Sequence, residues 1–427
     1  MAISRGGHTP GLEKFLDTLK GRPVEASVEL LISLLKRRQI KGSEPCAIAT
    51  AHILLQVVAR DKWADVNQLL GRIQTIGRRL VTAQPYELVI GNIVRRVLGL
   101  IRDEASEDRN DASTDSPNTT NTNGAPASEV NSPVKLTRPG AISSLGSFAR
   151  TQSMFNLMAD SVNTPPWSNA STPKQGSGTS TPMTTAQATN VHSLRSEVID
   201  GIEEIMDEIK QVDEQIQTYA DTWIHPGDYI LVYQPLKTVQ KFLSRAASKR
   251  KYTLLLAVDP SVDPTSGDQY ASLRKSLTAN GSAVITVMNA SLMVYMSRVN
   301  KVILGSRAIT AHGGVVVDGG VAAIARAARR WQRTVIVLGG VYGLSPESEV
   351  SPKQQTEWGD PSSYVNFADG YMVSDVTVKH VVSEFVPADF VDTYITNLGA
   401  HTRDNLHTII ADHYKDEDIE FDLYQRK

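Results

Sequence analysis

Residues 228–258 read DYILVYQPLKTVQKFLSRAASKRKYTLLLAV. Two runs of strand length, DYILVY and YTLLLAV, are apolar at consecutive positions and so suit burial on both faces. Between them KTVQKFLSRAASKR spaces its apolar residues three and four apart, as a helix with one buried face does. Strand, helix and strand in that order are the unit from which parallel sheets are built. The alternation continues through SAVITV, KVILG and TVIVL, with DQYASLRKSLTAN, ASLMVYMSRV and VAAIARAARRW as the other helices. This part of the chain is therefore expected to be α/β, with a mainly parallel sheet covered on both sides. Its end, EFVPADFVDTYITNLGAHTRDNLHTIIADHYKDEDIEFDL, reads as an edge strand, a turn and closing helices with an acidic tail.

Immediately upstream, VHSLRSEVIDGIEEIMDEIKQVDEQIQTYADTWI carries an apolar seam from Val191 through Ile202, Ile209 and Ile216 to Trp223, in steps of three and four. A long helix with such a seam must pack against another element, either the N-terminal block or another subunit. Residues 103–190 differ abruptly: TDSPNTTNTNGAPASEVNSP and SNASTPKQGSGTSTPMTTAQ hold too few large apolar groups to offset the entropy of ordering. A disordered insertion is expected there, broken by an apolar island at 142–160 with Leu145, Phe148, Met154, Phe155, Leu157 and Met158. Residues 11–102 read as helices throughout, with Pro23, Pro45 and Pro85 at helix starts, where a missing N–H costs nothing. The expected organisation is a helical domain (1–102), the insertion (103–190), and the long helix with the α/β domain (191–427).

The helical block has more Lys and Arg than Asp and Glu, and clusters such as Lys36-Arg37-Arg38, Arg78-Arg79 and Arg95-Arg96 fit either a solvated surface or a docking face for an acidic partner. Over the whole chain the formal charge is only -2, which makes no global case for nucleic acid or an anionic membrane. No apolar run reaches bilayer length, and the N-terminus lacks the apolar centre of a secretory signal. The single cysteine, Cys46, excludes an intrachain disulfide and cysteine-rich zinc sites. It lies on the apolar face of CAIATAHILL and reads as a buried structural thiol, in keeping with a reducing, cytoplasmic setting.

Residues 299–320, VNKVILGSRAITAHGGVVVDGG, run from a strand into a glycine-rich polar loop, the place where open α/β sheets hold small ligands. The glycines form neither GxGxxG nor GxxxxGK[ST], so nucleotide binding by those motifs is unsupported. There is no HExxH and no GxSxG, and His225 reads as a turn residue before the first strand. No cofactor and no metal are expected.

Several long segments resemble one family. GRRLVTAQPYELVIGNIVRRVLGLIRDE (77–104), LKTVQKFLSRAASKRKYTLLLAV, MSRVNKVILGSRAIT and FVPADFVDTYITNLGAH are similar, in order, to the regulatory alpha, beta and delta subunits of translation initiation factor 2B. MSRVNKVILGSRAI, GRRL…RRVL and SMFNL look most like the beta branch in its fungal form. The resemblance implies a helical domain followed by a Rossmann-like domain, and homology to isomerases of methylthioribose 1-phosphate and ribose 1,5-bisphosphate. Those enzymes use a cysteine after the first strand and an aspartate in a GADRI-like loop, with an Asn-Lys pair downstream. Here the cysteine position falls on or near Gln234, Gly305-Ser306-Arg307 takes the place of the aspartate loop, and Val317-Asp318 replaces Asn-Lys. An amide is neither nucleophile nor acid, and a guanidinium cannot accept a proton.

A degenerate isomerase-like pocket of Gln234, Gly305, Arg307 and Asp318, with no catalysis, is the expectation. The alternative is a sugar-phosphate isomerase, or a pseudoenzyme that still binds a phosphorylated metabolite through Arg307. By resemblance the protein is a non-catalytic regulatory subunit of the guanine nucleotide exchange factor for initiation factor 2. Its implied partners are the alpha, gamma, delta and epsilon subunits of factor 2B and initiation factor 2, especially its alpha subunit, with no direct nucleic acid and no membrane. Arg78, Arg79, Arg95 and Arg96 are the candidate partner-facing residues; internal ion pairing is the other reading of the same arginines. Asn397, Leu398 and Gly399 are candidates near a subunit interface, or plain turn chemistry.

Overall fold

The computed structural model describes residues 10–114, 183–258, 270–288, 291–347, 356–361, 364–365, 370–371 and 375–419. The chain divides into two compact units, Met1–Ala105 with Ser193–Lys427, and Ser106–His192. The helical block and the α/β block thus share one unit. The island at 142–160 lies outside the described residues, as does most of the insertion. At its edges helix runs further than the composition shift suggests, to Thr114 on one side and from Met183 on the other.

Five helices build the N-terminal block: α1 (Pro10–Leu19), α2 (Val24–Lys36), α3 (Ser43–Arg60), α4 (Val66–Ala83) and α5 (Leu88–Thr114). Pro23 caps α2 and Pro45 sits in the first turn of α3, while Pro85 lies in the turn that leads into α5. The spacing of apolar residues sets each helix's role. On α2 only Val24, Val28, Leu31, Ile32 and Leu35, with Ser27, turn inward. On α3 nearly every residue from Pro45 to Val58 is buried, so α3 is the central helix and the small Ala47, Ala49 and Ala51 let its neighbours come close. The long helix α6 (Met183–Thr218) continues into a single turn, α7 (Ala220–Trp223). Its seam is buried at Leu194, Val198, Ile202, Ile205, Ile209, Val212 and Ile216. The element it packs on is the helical block: Arg96 reaches Glu208 at 2.6 Å, and Arg195 donates to the Asp61 carbonyl at 3.2 Å.

The α/β block follows as β1 (Tyr229–Tyr233), α8 (Lys237–Ala247), β2 (Thr253–Val258), α9 (Ala271–Ala279), β3 (Ala283–Met288), α10 (Leu292–Met296) and β4 (Lys301–Gly305). Then come β5 (Ala308–Thr310), β6 (Val315–Asp318), α11 (Val321–Arg330), β7 (Thr334–Leu338), β8 (Leu344–Ser345), β9 (Thr356–Gly359), β10 (His380–Val386), β11 (Thr393–Thr396), β12 (Gly399–His401), α12 (Arg403–His413) and α13 (Asp416–Ile419). Every strand and helix read from the alternation is present. The main sheet has the order β12-β11-β7-β4-β1-β2-β3, parallel except for the β11–β12 hairpin. SAVITV departs from two-sided burial: β3 is the free edge, and Ala283, Ile285 and Met288 face solvent.

The larger correction concerns residues 306–318. They are not an open polar loop. Ala308–Thr310 and Val315–Asp318 pair antiparallel, Ala308 with Val316 and Ile309 with Val315, inside a second sheet of order β8-β5-β6-β10-β9. The β-branched run VVV outweighs the glycines beside it, which serve the turn: Thr310 N–H donates to Gly314 O at 2.8 Å. One apolar cluster runs from Leu231, Val302 and Leu304 of the first sheet, past Ile324 of α11, to Ile309, Val315 and Val386 of the second.

Candidate functional site

From β1 the chain steps to β2 and β3 on one side, then returns to place β4 and β7 on the other. The order therefore reverses between β1 and β4, and the crevice beyond their C-terminal ends is the natural ligand position of such a sheet. The structure brings Gln234 and Gly305 to that point, each directly following or ending its strand. Gln234 has φ +38, a left-handed backbone that an L side chain adopts only when its surroundings hold it there. Its N–H donates to Ala257 O at 3.3 Å. At Gly305 a Cβ would stand 2.9 Å from Leu236 Cδ1, so the Leu236 side chain already closes the space beside β4.

Arg307 leaves β4 into the second sheet, its N–H donating to Val316 O at 2.8 Å and its carbonyl accepting from Ser43 Oγ at 2.8 Å. All three guanidinium nitrogens contact a carboxylate. Nε donates to Asp318 Oδ1 at 2.7 Å, Nη2 reaches the same oxygen at 2.6 Å, and Nη1 lies 3.1 Å from Glu87 Oε1. The Arg307 side chain is 17% exposed and that of Glu87 only 3%. Burial alone would lower the Arg307 pKa, but the charges of Glu87 and Asp318 more than offset it and the pKa is raised. Burial pushes the Glu87 carboxyl up, against the pull of Arg307. Asp318, which stands with Val317 in place of the Asn-Lys pair, faces Arg307.

Sequence position puts Cys46 in the helical block, away from the pocket, yet α3 carries it within electrostatic reach of Glu87 and Arg307. It is fully buried, and burial together with the Glu87 charge raises its thiol well above the ordinary range. A thiol held protonated is a poor nucleophile.

A second anion position is also filled from within. Helix α11 starts at Gly320, whose φ of +97 suits glycine and whose close neighbour is the Tyr233 hydroxyl. The N–H groups of Gly320 and Ala322 both donate to Glu384 Oε1, at 2.7 and 2.8 Å. A helix start with free N–H groups is where a phosphate would bind; here a carboxylate from β10 stands in that place. Glu87 and Glu384 were not singled out from sequence. Glu87 lies within the AQPYE segment, where a carboxylate among apolar helix residues was the available signal.

The four arginines proposed as partner-facing separate. Arg95 has a side chain only 3% exposed and pairs with Glu347 at 3.2 Å, and Arg96 is mostly buried against Glu208. These two are internal, because α5 is enclosed by α6 and by the segment after β8. Arg78 is exposed, and Arg79 is half-buried between Glu25 and Glu29. Asn397 and Leu398 form the tip of the β11–β12 hairpin. Asn397 Oδ1 accepts Val341 N–H at 2.9 Å, Gly399 has φ +132, and Leu398 is 53% exposed. His225 is a turn residue: its N–H donates to Asp228 Oδ2 at 2.9 Å, and its ring lies 2.8 Å from Lys301 Nζ. Among the described residues, no group of three or more His, Cys, Asp or Glu could hold a metal ion, and no helix is long and apolar enough to cross a membrane.

The chain as a whole is similar to known proteins. Residues 39–403 match the initiation factor 2 subunit family. The chain is 30% identical to translation initiation factor eIF2B subunit beta of Schizosaccharomyces pombe, over 94% of this chain and 99% of that one. It is 23% identical to the ribose 1,5-bisphosphate isomerase of Pyrococcus furiosus, over 49% of this chain and 64% of the enzyme. The crystal structure of eIF2B beta from Chaetomium thermophilum is similar at a TM-score of 0.68 and 42% identity, covering 97% of this chain and 99% of that one. A chain of the tetrameric eIF2B beta2-delta2 complex from C. thermophilum is similar at 0.65 and 40%, covering 95% and 100%.

Proposed function

The chain belongs to the initiation factor 2 subunit family, and from that premise we propose that it is a non-catalytic regulatory subunit, in the beta position, of the guanine nucleotide exchange factor for initiation factor 2. The observation that carries the non-catalytic reading is the filled switch point. Arg307 is locked between Glu87 and Asp318, and Glu384 covers the start of α11. An isomerase needs a free proton acceptor and an open phosphate position there, whereas the carboxylates of Glu87 and Asp318 are paired with Arg307 and Glu384 holds the start of α11. The pseudoenzyme alternative meets the same obstacle, since Glu87 and Asp318 already hold the Arg307 guanidinium and their charges would repel a phosphate brought to it.

The partners follow from the relatives. The delta subunit accompanies beta in the C. thermophilum complex; the alpha, gamma and epsilon subunits, and factor 2 through its alpha subunit, complete the proposed assembly, which acts in the cytoplasm. Regulation then works by differential binding: phosphorylated and unphosphorylated factor 2 must bind the assembly differently to shift its activity. Arg78 and Arg79 on the outside of α4 are the proposed contact residues on the helical block. The exposed Leu398 tip, with Asn397 and Gly399 shaping it, is the proposed contribution to a subunit contact. Purification of the full chain from its native cell extract tests the assignment. The other four subunits and factor 2 are expected to co-purify, and a preparation that holds the chain without them overturns it.

A further inference from the structure

Helix α11 has the sequence VAAIARAARR. Its inner positions, Val321, Ile324, Ala325 and Ala328 among them, are buried against the strands on either side of it in the chain. Its outer face is Ala323, Arg326, Arg329 and Arg330, all exposed, and the helix ends on Trp331, 40% exposed. The helix contains no acidic residue. Arg326 precedes Arg329 and Arg330 by three and four positions, so like charges stack on one side, an arrangement that weakens a helix.

Two ordinary explanations account for part of this. Cations in the last turn favour the carbonyl end of the helix dipole, which covers Arg329 and Arg330 and leaves Arg326 unexplained. Neighbouring acids could neutralise the stripe, but they are engaged elsewhere: Asp389 pairs with Arg403 at 3.1 Å, and Asp392 accepts Val335 N–H at 2.8 Å. Among the described residues none of Arg326, Arg329 and Arg330 has an ion-pair partner. Arg333 Nη2 donates to Ser297 O at 2.7 Å and so fastens the exposed Arg298 beside the end of the helix. Val294, on the α10 turn that packs against α11, is exposed as well.

We infer that the outer face of α11, with Arg298 and Trp331, is a docking surface for a carboxylate-rich protein segment. Charge complementarity selects an anion, and the guanidinium fork pairs with carboxylates two-fold. The spacing of Arg326, Arg329 and Arg330 matches acidic side chains three and four apart on a partner helix. The apolar Trp331 and Val294 beside the stripe suit a protein with apolar anchors, rather than a bare phosphate backbone.

Fluorescence anisotropy on the full chain tests this with two labelled probes. One is a peptide with Asp and Glu at helical spacing and a Leu seam; the other is a single-stranded RNA of the same net charge. The peptide is expected to bind, with an affinity that falls as salt rises. R326A/R329A/R330A, and the single Arg326→Glu at the position the dipole does not explain, are each expected to weaken it about tenfold or more. The triple variant should melt close to the parent, because relief of like-charge repulsion and the higher helix propensity of Ala offset the lost contact of Arg329 and Arg330 with the helix dipole. Equal peptide affinity in parent and variants would overturn the inference, and so would tighter binding of the RNA lost in the same variants.

Discussion

Two arginines in this molecule each sit between two carboxylates, and their settings could hardly differ more. Arg79, on the outside of α4, bridges Glu25 at 2.5 Å and Glu29, and both glutamates are more than half exposed. Arg307, at the switch point, bridges Asp318 and Glu87 where little water reaches. In solvent the attraction is screened, and water stands ready to replace either partner. In the interior each charge was stripped of water to get there, and its partner is all that offsets that cost. The Arg79 pairs therefore add little to stability, whereas the Arg307 cluster ties Glu87 of the helical block to Asp318 of the α/β block beside the crevice.

Substitution should expose that difference. Arg307→Ala leaves Glu87 buried without a counter-charge, and a loss of about 3–5 kcal/mol in denaturant unfolding of the full chain is expected. A loss no larger than that from Arg79→Ala would erase the contrast between the two sites. The next effect comes from the seam between α3 and α6. Burial, reinforced by the Lys210 charge, pushes the His52 imidazole down to about 4. The unfolded chain protonates this histidine below about 6.5 while the folded chain keeps it neutral. Its contribution is thus fully present above about 6.5 and is lost as pH falls toward 4, amounting to about 3 kcal/mol. The stability difference between parent and His52→Gln should shrink across that window, and a difference independent of pH would contradict the assignment. Glu384→Ala should cost about 1–2 kcal/mol by uncovering the N–H groups at the start of α11. Inorganic phosphate should restore part of its melting temperature while leaving the parent unmoved; equal stabilisation of both would mean that Glu384 does not occupy the anion position. Arg79→Ala should change stability by about 1 kcal/mol or less.

The same contrast explains what the sequence disclosed. The strands around DYILVY and YTLLLAV, and the helices between them, were legible because periodicity reports which faces are buried. The seam of α6 was equally plain, though only the structure supplies its partner. Residues 306–318 read as an active-site loop because three-residue strands carry almost no periodic signal, and glycine pairs drew attention from VVV. Arg307 and Asp318 draw attention in the sequence because they follow the strand KVILG. Their mutual pairing, and the arrival of Glu87 from 220 positions away, depend on tertiary contact and leave no local trace. Arg95 and Arg96 fit surface charge and internal ion pairing equally for the same reason: a basic pair on a helix reads alike whether it faces water or Glu347 and Glu208.

The proposed function requires the crevice at the ends of β1 and β4 to be closed by the protein's own charges. Titration calorimetry of the full chain with ribose 1,5-bisphosphate, the substrate of the isomerase relatives, with product analysis on the same samples, addresses it most directly. Such closure predicts no saturable heat and no isomerised product. Saturable binding or measurable turnover would contradict it, since either requires Arg307 and the start of α11 to be open to a phosphate.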